Sequence, residues 1–532
     1  MRARSRYYGV SVERNLFLSG NEAIARGAVR AGVTFACGCP GTPSAEILAA
    51  MVADPTYAAG IVKAQWCVNE KVALENAIGA SLAGVRALVT MKGVGLNVAA
   101  DPFMALSLAG VNAGLVIVSV DDPGMLSSQS EQDSRRFAAF AKIPMLEPSD
   151  SQESYDFLAE AFALSEEFDT PVMLRTTMRL AHSRSRAIPR APVVVVPRPY
   201  EQVLDKYVVV PQYARARNRR VLERLQLLRA RAEQTPLNVL EAGTADFGII
   251  ASGAAYNYAR AAFPRAWFLK LGLSHPLPYQ KVIRLYRSVS RVAVVEELEP
   301  YIEEQVRMLG LAVIGKEAIP VDGELNREVV FAALEPYIQH RSAPRRRAIV
   351  PPPPRISSSA ETESEPPVKT ESEPPVRASE LCPGCPQRVV LAGLRKLKVA
   401  PLGGIGCHTL GASPAPLALE SCLCMGAGIG MMAGMNKVLG RKAAAAVLDD
   451  SAFLHSGITA LVDACHSEGE GLVIVFDCSR GSLSDIERLC VGIGVRCHTL
   501  GARGAKAVQA ELATELDTPG LGVVIACAPS AG

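Results

Sequence analysis

This sequence predicts an α/β protein of several domains, built from open, mostly parallel sheets covered by helices. Three observations carry that reading. Short runs rich in Val, Ile, Leu and Ala recur, among them Arg86-Ala-Leu-Val-Thr-Met, Gly114-Leu-Val-Ile-Val-Ser-Val, Ala443-Ala-Ala-Ala-Val-Leu448 and Gly471-Leu-Val-Ile-Val-Phe476. Such continuous runs suit strands buried on both faces. Helix-length segments separate them, as in βαβ units. Acidic or small polar residues follow several of the runs, at the strand ends where open sheets bind ligands.

Composition narrows the class. The chain has 532 residues, enough for about three domains with buried cores. Apolar residues make up 49% and charged residues 20%, and the net charge is +3. That balance carries no basic excess for nucleic acid. No run approaches the ~18 uninterrupted apolar residues of a membrane span. Met1-Arg-Ala-Arg-Ser-Arg is basic, but no signal-type apolar core follows it, so a cytoplasmic enzyme is expected. Thirteen cysteines, many closely paired, then favour thiols or metal ligands over disulfides.

A first domain is expected over residues 15–190. Gly20-Asn-Glu-Ala-Ile-Ala-Arg-Gly-Ala-Val carries small and apolar residues at helical spacing, and Val33-Thr-Phe-Ala reads as a short strand. Cys39-Pro40-Gly41-Thr42-Pro43-Ser44 is a proline-rich turn ahead of a helix. Glu70, in Val68-Asn-Glu70-Lys-Val-Ala-Leu-Glu75-Asn-Ala-Ile-Gly79, stands at a helix start, where a Glu commonly serves as a dipole partner. The polar loop after Val120 holds Ser127, Ser128 and Arg135. These residues either meet a carboxylate at a site mouth or cap the next helix.

Residues 191–240 read as a helical, basic connector whose Arg-rich face is most simply solvated. A second α/β pattern occupies 241–340. Its Glu296-Glu297-Leu-Glu299 after a strand is either a cation site or a capped helix start. Residues 341–379 form a linker with a proline run, and Thr-Glu-Ser-Glu-Pro-Pro-Val occurs in it twice. Such a segment buries too little apolar surface to fold. The last domain, 380–532, opens with Cys382-Pro-Gly-Cys385-Pro and continues through Gly403-Gly-Ile-Gly406-Cys407. A lone Cys-x-x-Cys pair leaves redox, zinc and cluster roles open. Then come Cys422-Leu-Cys424-Met-Gly426-Ala-Gly428-Ile-Gly430, which should begin a helix, and Asp449-Asp450-Ser451 after a strand. A carboxylate beside small residues and a helix start suits a hard cation bridging to a diphosphate.

In this order the motifs resemble the large subunit of indolepyruvate:ferredoxin oxidoreductase, in the superfamily of thiamine diphosphate-dependent 2-oxoacid:acceptor oxidoreductases. The resemblance covers roughly residues 15–335 and 380–530. It implies a pyrimidine-binding-like first domain, a third domain akin to the carboxy-terminal domain of transketolases, and a diphosphate-binding-like last domain. It gives Glu70 the role of hydrogen-bonding a ring nitrogen of the cofactor's aminopyrimidine. Thr42 would face the substrate, as would Ser127, Ser128 and Arg135. Gly426, Asp450, Ser451 and Cys478 would surround the diphosphate, with Mg2+ on Asp450 and the carbonyl of Arg480. Cys382, Cys385 and Cys407, with Cys527 as fourth ligand, would hold a [4Fe–4S] cluster. Cys422 and Cys424 read as packing residues.

Departures from the family pattern matter here. Cys39 replaces a tyrosine, and Gly93, Leu126 and Gln387 each replace a histidine. Asp449 replaces the glycine of the metal motif, and Cys478 replaces an asparagine that would offer magnesium an oxygen. No ferredoxin-like cysteine run follows, so an external acceptor is expected to take the electrons. The implied reaction converts an aryl 2-oxoacid and coenzyme A to an acyl-CoA, with a small (beta) subunit as partner in a dimer of heterodimers. Two alternatives stay open. One is a non-catalytic scaffold subunit that kept the fold; the other is a non-oxidative thiamine decarboxylase or ligase.

Overall fold

The computed structural model describes residues 15–339, 381, 385–412, 419–477, 483–501 and 504–527. The linker, Cys382, Cys478 and Arg480 lie outside them. The predicted fold class holds. A seven-stranded sheet runs, edge to edge, through Leu273–His275, Met145–Leu146, Val172–Thr177, Leu115–Asp121, Ala87–Lys92, Phe35–Gly38 and Lys63–Trp66. Only its outermost strand, Leu273–His275, is antiparallel to its neighbour. A four-stranded sheet contains Arg291–Val295, Phe247–Ser252, Trp267–Leu271 and the antiparallel Asn238–Glu241. The wholly parallel six-stranded sheet orders Ser421–Cys422, Ala400–Gly403, Ala444–Asp449, Gly471–Asp477, Leu521–Cys527 and Arg496–Thr499. Phe17 and its neighbours pair with Arg184–Ala187 in a separate two-stranded ribbon.

Two helices join the first and last sheets. Glu70–Leu82 begins where Asn69 Oδ1 accepts the amide of Val72 at 2.9 Å, and every residue from Val72 to Leu82 is buried. Beyond its first turn the sequence is apolar or small except for Glu75 and Asn76, which are buried and paired with Lys71 and Asp463. It crosses Ala427–Leu439, which starts after Gly426 and ends before Gly440. A Cβ on Gly79 would overlap the carbonyl of Met431, and one on Gly434 would overlap the carbonyl of Asn76. On Gly430 it would lie 2.6 Å from Glu75 Cβ. The helices approach this closely because three crossing positions carry no side chain. Met431, Met432 and Met435 then pack into the same core as Ala73, Ala77 and Ile78.

The basic connector corrects one expectation. Its long helix, Pro211–Gln234, is not a simply solvated charged rod, because Arg217 and Arg224 are buried. Arg217 donates to the carbonyls of Leu108 at 2.7 Å and Ala109 at 3.0 Å; Arg224 donates to that of Ser107 at 2.6 Å. These carbonyls end the helix Ala100–Ala109 and have no intrahelical donor, so guanidinium groups complete them. Ahead of this helix the chain reaches the last sheet, where Val209 N–H donates to the carbonyl of Cys422 at 2.8 Å.

Candidate active site

Glu70 is the first residue of its helix and is half-buried. Its side chain lies against Gly95; a Cβ there would sit 2.6 Å from Oε1 and 2.7 Å from Cγ. The thiol of Cys39, half-buried in the turn after Phe35–Gly38, faces the same carboxylate. Burial first, and then the charge of Glu70, push that thiol up to about 11, so it stays protonated near neutral pH. The residues flanking Glu70 are held from the last domain. Val68 N–H donates to Asp463 Oδ1 at 2.9 Å, and Lys71 Nζ donates to the carbonyl of Met425 at 3.0 Å and to buried Glu75.

The loop 122–131 meets the 39–44 turn. Ser127 Oγ donates to the carbonyl of Thr42 at 3.0 Å, and its amide donates to Asp122 Oδ2 at 2.8 Å. Lys92 Nζ donates to the carbonyl of Ser127 at 3.1 Å and lies along Gly41. Thr42 and Ser127 are therefore neighbours at an exposed mouth, with half-buried Ser128 next in sequence. Gly93 leaves room for Asp121, whose carboxylate a Cβ there would strike.

Arg135, expected to meet a substrate carboxylate, is placed elsewhere, with only 1% of its surface exposed. Its guanidinium takes Asp133 at 2.6 Å, Glu296 at 2.7 Å and the carbonyls of Glu297 and Glu299 at 2.8 and 3.1 Å. Asp133 holds the guanidinium locally, and the bonds to Glu296, Glu297 and Glu299 tie the first sheet to the four-stranded one. Glu296 also accepts the amides of Ile302 and Glu303 at 2.9 and 3.0 Å, which is the capped helix start among the two readings of that acidic run.

The other end of the site lies beyond the carboxyl ends of the neighbouring parallel strands Ala400–Gly403, Ser421–Cys422 and Ala444–Asp449. Gly426 holds φ +76, a left-handed conformation that favours glycine; a Cβ there would lie 2.8 Å from the amide of Gly457. A Cβ on Gly404 would stand 2.8 Å from the Gly426 amide. Backbone thus approaches backbone closely at the head of a 13-residue helix, whose dipole favours an anion. Asp450 is buried and Ser451 N–H donates to its Oδ1 at 2.9 Å. Asp449 is committed elsewhere. It accepts Cys407 N–H at 2.6 Å on Oδ2, and Gln387 Nε2 at 3.3 Å on Oδ1, where His408 Nδ1 also lies 3.2 Å away.

These features fit thiamine diphosphate. The glycine-lined head of Ala427–Leu439 suits the diphosphate, and Glu70 with Gly95 beneath it suits the aminopyrimidine. For magnesium, Asp450 offers one carboxylate, as is usual when phosphates supply further oxygens. Cys385 is half-buried, Cys407 exposed, and Cys527 half-buried with its thiol pushed up by burial and by Asp477. Among the described residues no group of three or more His, Cys, Asp or Glu side chains is gathered as a metal site. Cys422 and Cys424 are buried; Cys422 Sγ donates to the carbonyl of Gly404 at 3.1 Å. Sequence reasoning singled out neither Asp463 nor Lys92. Asp463 lies 395 residues from its partner Val68, so no local signal could have paired them.

Residues 26–208 match the family model described as pyruvate flavodoxin/ferredoxin oxidoreductase, thiamine diphosphate-binding. Over 505 residues the chain is 36% identical to a protein of Pyrococcus abyssi named indolepyruvate oxidoreductase subunit IorA, covering 87% of this chain and 74% of that one. A protein of the same name from Methanothermobacter thermautotrophicus is 37% identical over 492 residues, covering 87% and 75%. Among solved structures, 2-oxoglutarate:ferredoxin oxidoreductase from Magnetococcus marinus shares the fold, with a TM-score of 0.52 at 17% identity, over 61% of this chain and 65% of that one.

Proposed function

We propose, from the premise that this chain belongs to the family of the indolepyruvate oxidoreductase IorA subunits, that it decarboxylates an aryl 2-oxoacid oxidatively to an acyl-CoA. At the coarser level it is a subunit of a thiamine diphosphate-dependent 2-oxoacid oxidoreductase, and a partner subunit completes the enzyme. In balance, 2-oxoacid and coenzyme A give acyl-CoA, carbon dioxide, a proton and two electrons. The observation that carries the site is the placement of Glu70, half-buried over a glycine at the seam between the first and last domains.

When bound, thiamine diphosphate supplies the carbanion that adds to the 2-oxo carbon and takes up the electrons left by decarboxylation. The chain's own residues do the rest. Glu70 holds a proton at the aminopyrimidine ring nitrogen, the protonation that lets the opposite amino group act as a base. The Gly426 turn and Ser451 receive the diphosphate, with Mg2+ on Asp450; Cys478 and the Arg480 carbonyl stand in the remaining family positions. Thr42, Ser127 and Ser128 face the 2-oxoacid, and Lys92 behind them adds positive charge for its carboxylate. Cys382, Cys385, Cys407 and Cys527 are the proposed cluster ligands. Electrons then pass to the small subunit and an external acceptor, in a cytoplasmic dimer of heterodimers.

One observation favours the scaffold alternative. Asp449 adds a carboxylate to the diphosphate end where the family carries glycine. Anaerobic purification of the complex, with assays for iron, bound thiamine diphosphate and an EPR-active cluster, tests the choice. Acceptor reduction is then compared for indolepyruvate, pyruvate and 2-oxoglutarate with coenzyme A. An oxidoreductase selective for indolepyruvate meets the proposal. A protein without thiamine diphosphate and without turnover is the scaffold.

A further inference from the structure

Glu70 is the only side chain of the proposed site that stands on the first domain and must address a cofactor seated on the last. Its aim depends on the two residues before it: Asn69 caps the helix locally, and Val68 is held from across the molecule. Asp463, in the helix Ile458–His466 of the last domain, is 2% exposed. Its Oδ1 takes the amide of Val68 at 2.9 Å, and its Oδ2 takes Asn76 Nδ2 at 3.3 Å. Asn76 lies on the Glu70 helix, so one carboxylate grips both the strand-to-helix turn and the helix it leads into. Gln65, on the strand that feeds the turn, donates to Asn76 Oδ1 at 3.2 Å and accepts Lys437 Nζ at 2.5 Å. Asp463 and Lys437 thus tie Val68, Asn76 and Gln65 to the last domain.

We propose that Asp463 is a positioning residue for catalysis: by holding the Val68 amide and Asn76 together, it sets the direction of the Glu70 carboxylate. Cys67 is buried and its amide bonds the carbonyl of Gly38, but Trp66 and Val68 on either side are exposed at 40% and 42%. Packing alone does not hold them, and a misplacement of about 1 Å at a catalytic group can cost ~10²-fold in rate. The inference rests on Glu70 being the aminopyrimidine partner, so the tests are chosen to separate the two.

Asp463→Ala removes both bonds. Asp463→Asn keeps an acceptor for Val68 but turns an amide toward Asn76. In the complex with its small subunit, turnover should fall in the order Asp, Asn, Ala, reaching ~10²-fold for Ala. KM for the 2-oxoacid and the dissociation constant for thiamine diphosphate should change less than threefold. In the cofactor-free protein, amide hydrogen exchange of the peptide containing Val68 and Glu70 should quicken in Asp463→Ala, while exchange in the Ala427–Leu439 helix stays as in wild type. The near-ultraviolet circular dichroism of the iminopyrimidine form should weaken with turnover. Wild-type turnover in Asp463→Ala, or a loss accounted for wholly by weaker cofactor binding, overturns the proposal while leaving Glu70→Gln inactive. Wild-type turnover in Glu70→Gln instead removes the premise. If Asp463→Ala does not fold, the Asn variant decides alone: exchange and turnover both unchanged refute the role.

Discussion

Two corners of the seven-stranded sheet treat charge in opposite ways. At the corner beside the six-stranded sheet, Glu70 projects half-buried over a glycine, and its neighbours Val68 and Lys71 are locked to the last domain. At the corner beside the four-stranded sheet, Arg135 is fully enclosed and each of its donor groups is matched. Asp133 below it is held beneath the usual carboxylate range by that guanidinium despite burial, which raises it. The first corner keeps a charged group available while fixing the backbone that carries it. The second spends its charge on joining two domains. The difference lies in which part of the residue is restrained, and it separates a site from a joint.

Substitutions at the two corners should split along that line. The largest effect is expected at Glu70. Glu70→Gln preserves size but not the shared proton, so turnover should drop ~10²–10⁴-fold with the thermal midpoint unchanged. Steady-state acceptor reduction beside a melting curve checks this, and retained turnover would break the comparison outright. Arg135→Met should do the reverse. Leaving Asp133 and Glu296 buried without their partner costs on the order of 3–5 kcal/mol of stability. Turnover per folded molecule and KM for the 2-oxoacid should stay near wild type; a raised KM would return Arg135 to the substrate.

Asp449 sharpens the contrast at the diphosphate end. Its oxygens meet Cys407 N–H, Gln387 and His408, so Asp449→Asn should destabilise by about 1–3 kcal/mol, read by denaturant unfolding. Affinity for thiamine diphosphate should not weaken, because a negative charge leaves the neighbourhood of an anion. The smallest effect is expected far from either corner. Gly492, exposed in the helix Leu483–Ile493, has open space where a Cβ would stand. Gly492→Ala should raise stability by ~0.5–1 kcal/mol, visible as a small increase in the unfolding midpoint with turnover unchanged.

Much of the architecture was legible in the order of residues, because continuous Val, Ile and Leu runs leave few alternatives to buried parallel strands. Glu70, Thr42 and Ser127 are proposed for the site through motifs that are contiguous in the chain. What could not be read were roles decided by distant partners. Arg135 looks the same in sequence whether it waits for a carboxylate or already holds one, and Glu296, which answers the question, lies 161 residues away. Arg217 and Arg224 sit in a run of exposed arginines and differ only in facing the end of another helix. Asp449 read as a lost glycine, yet Gln387, another departure from the family, is one of its donors.

The glycine crossing between Glu70–Leu82 and Ala427–Leu439 carries a last consequence, about covalent continuity. The first and last domains meet through main chain fitted against main chain at Gly79 and Gly434, with Glu75 seated on Gly430, beside a shared apolar core. A joint of that kind needs no peptide bond to persist. The chain should therefore work as a split protein: residues 1–340 and 380–532, made as separate polypeptides, should co-purify as one particle and bind thiamine diphosphate as the intact chain does. Val at Gly434 should abolish the complementation, although each fragment keeps its own sheet.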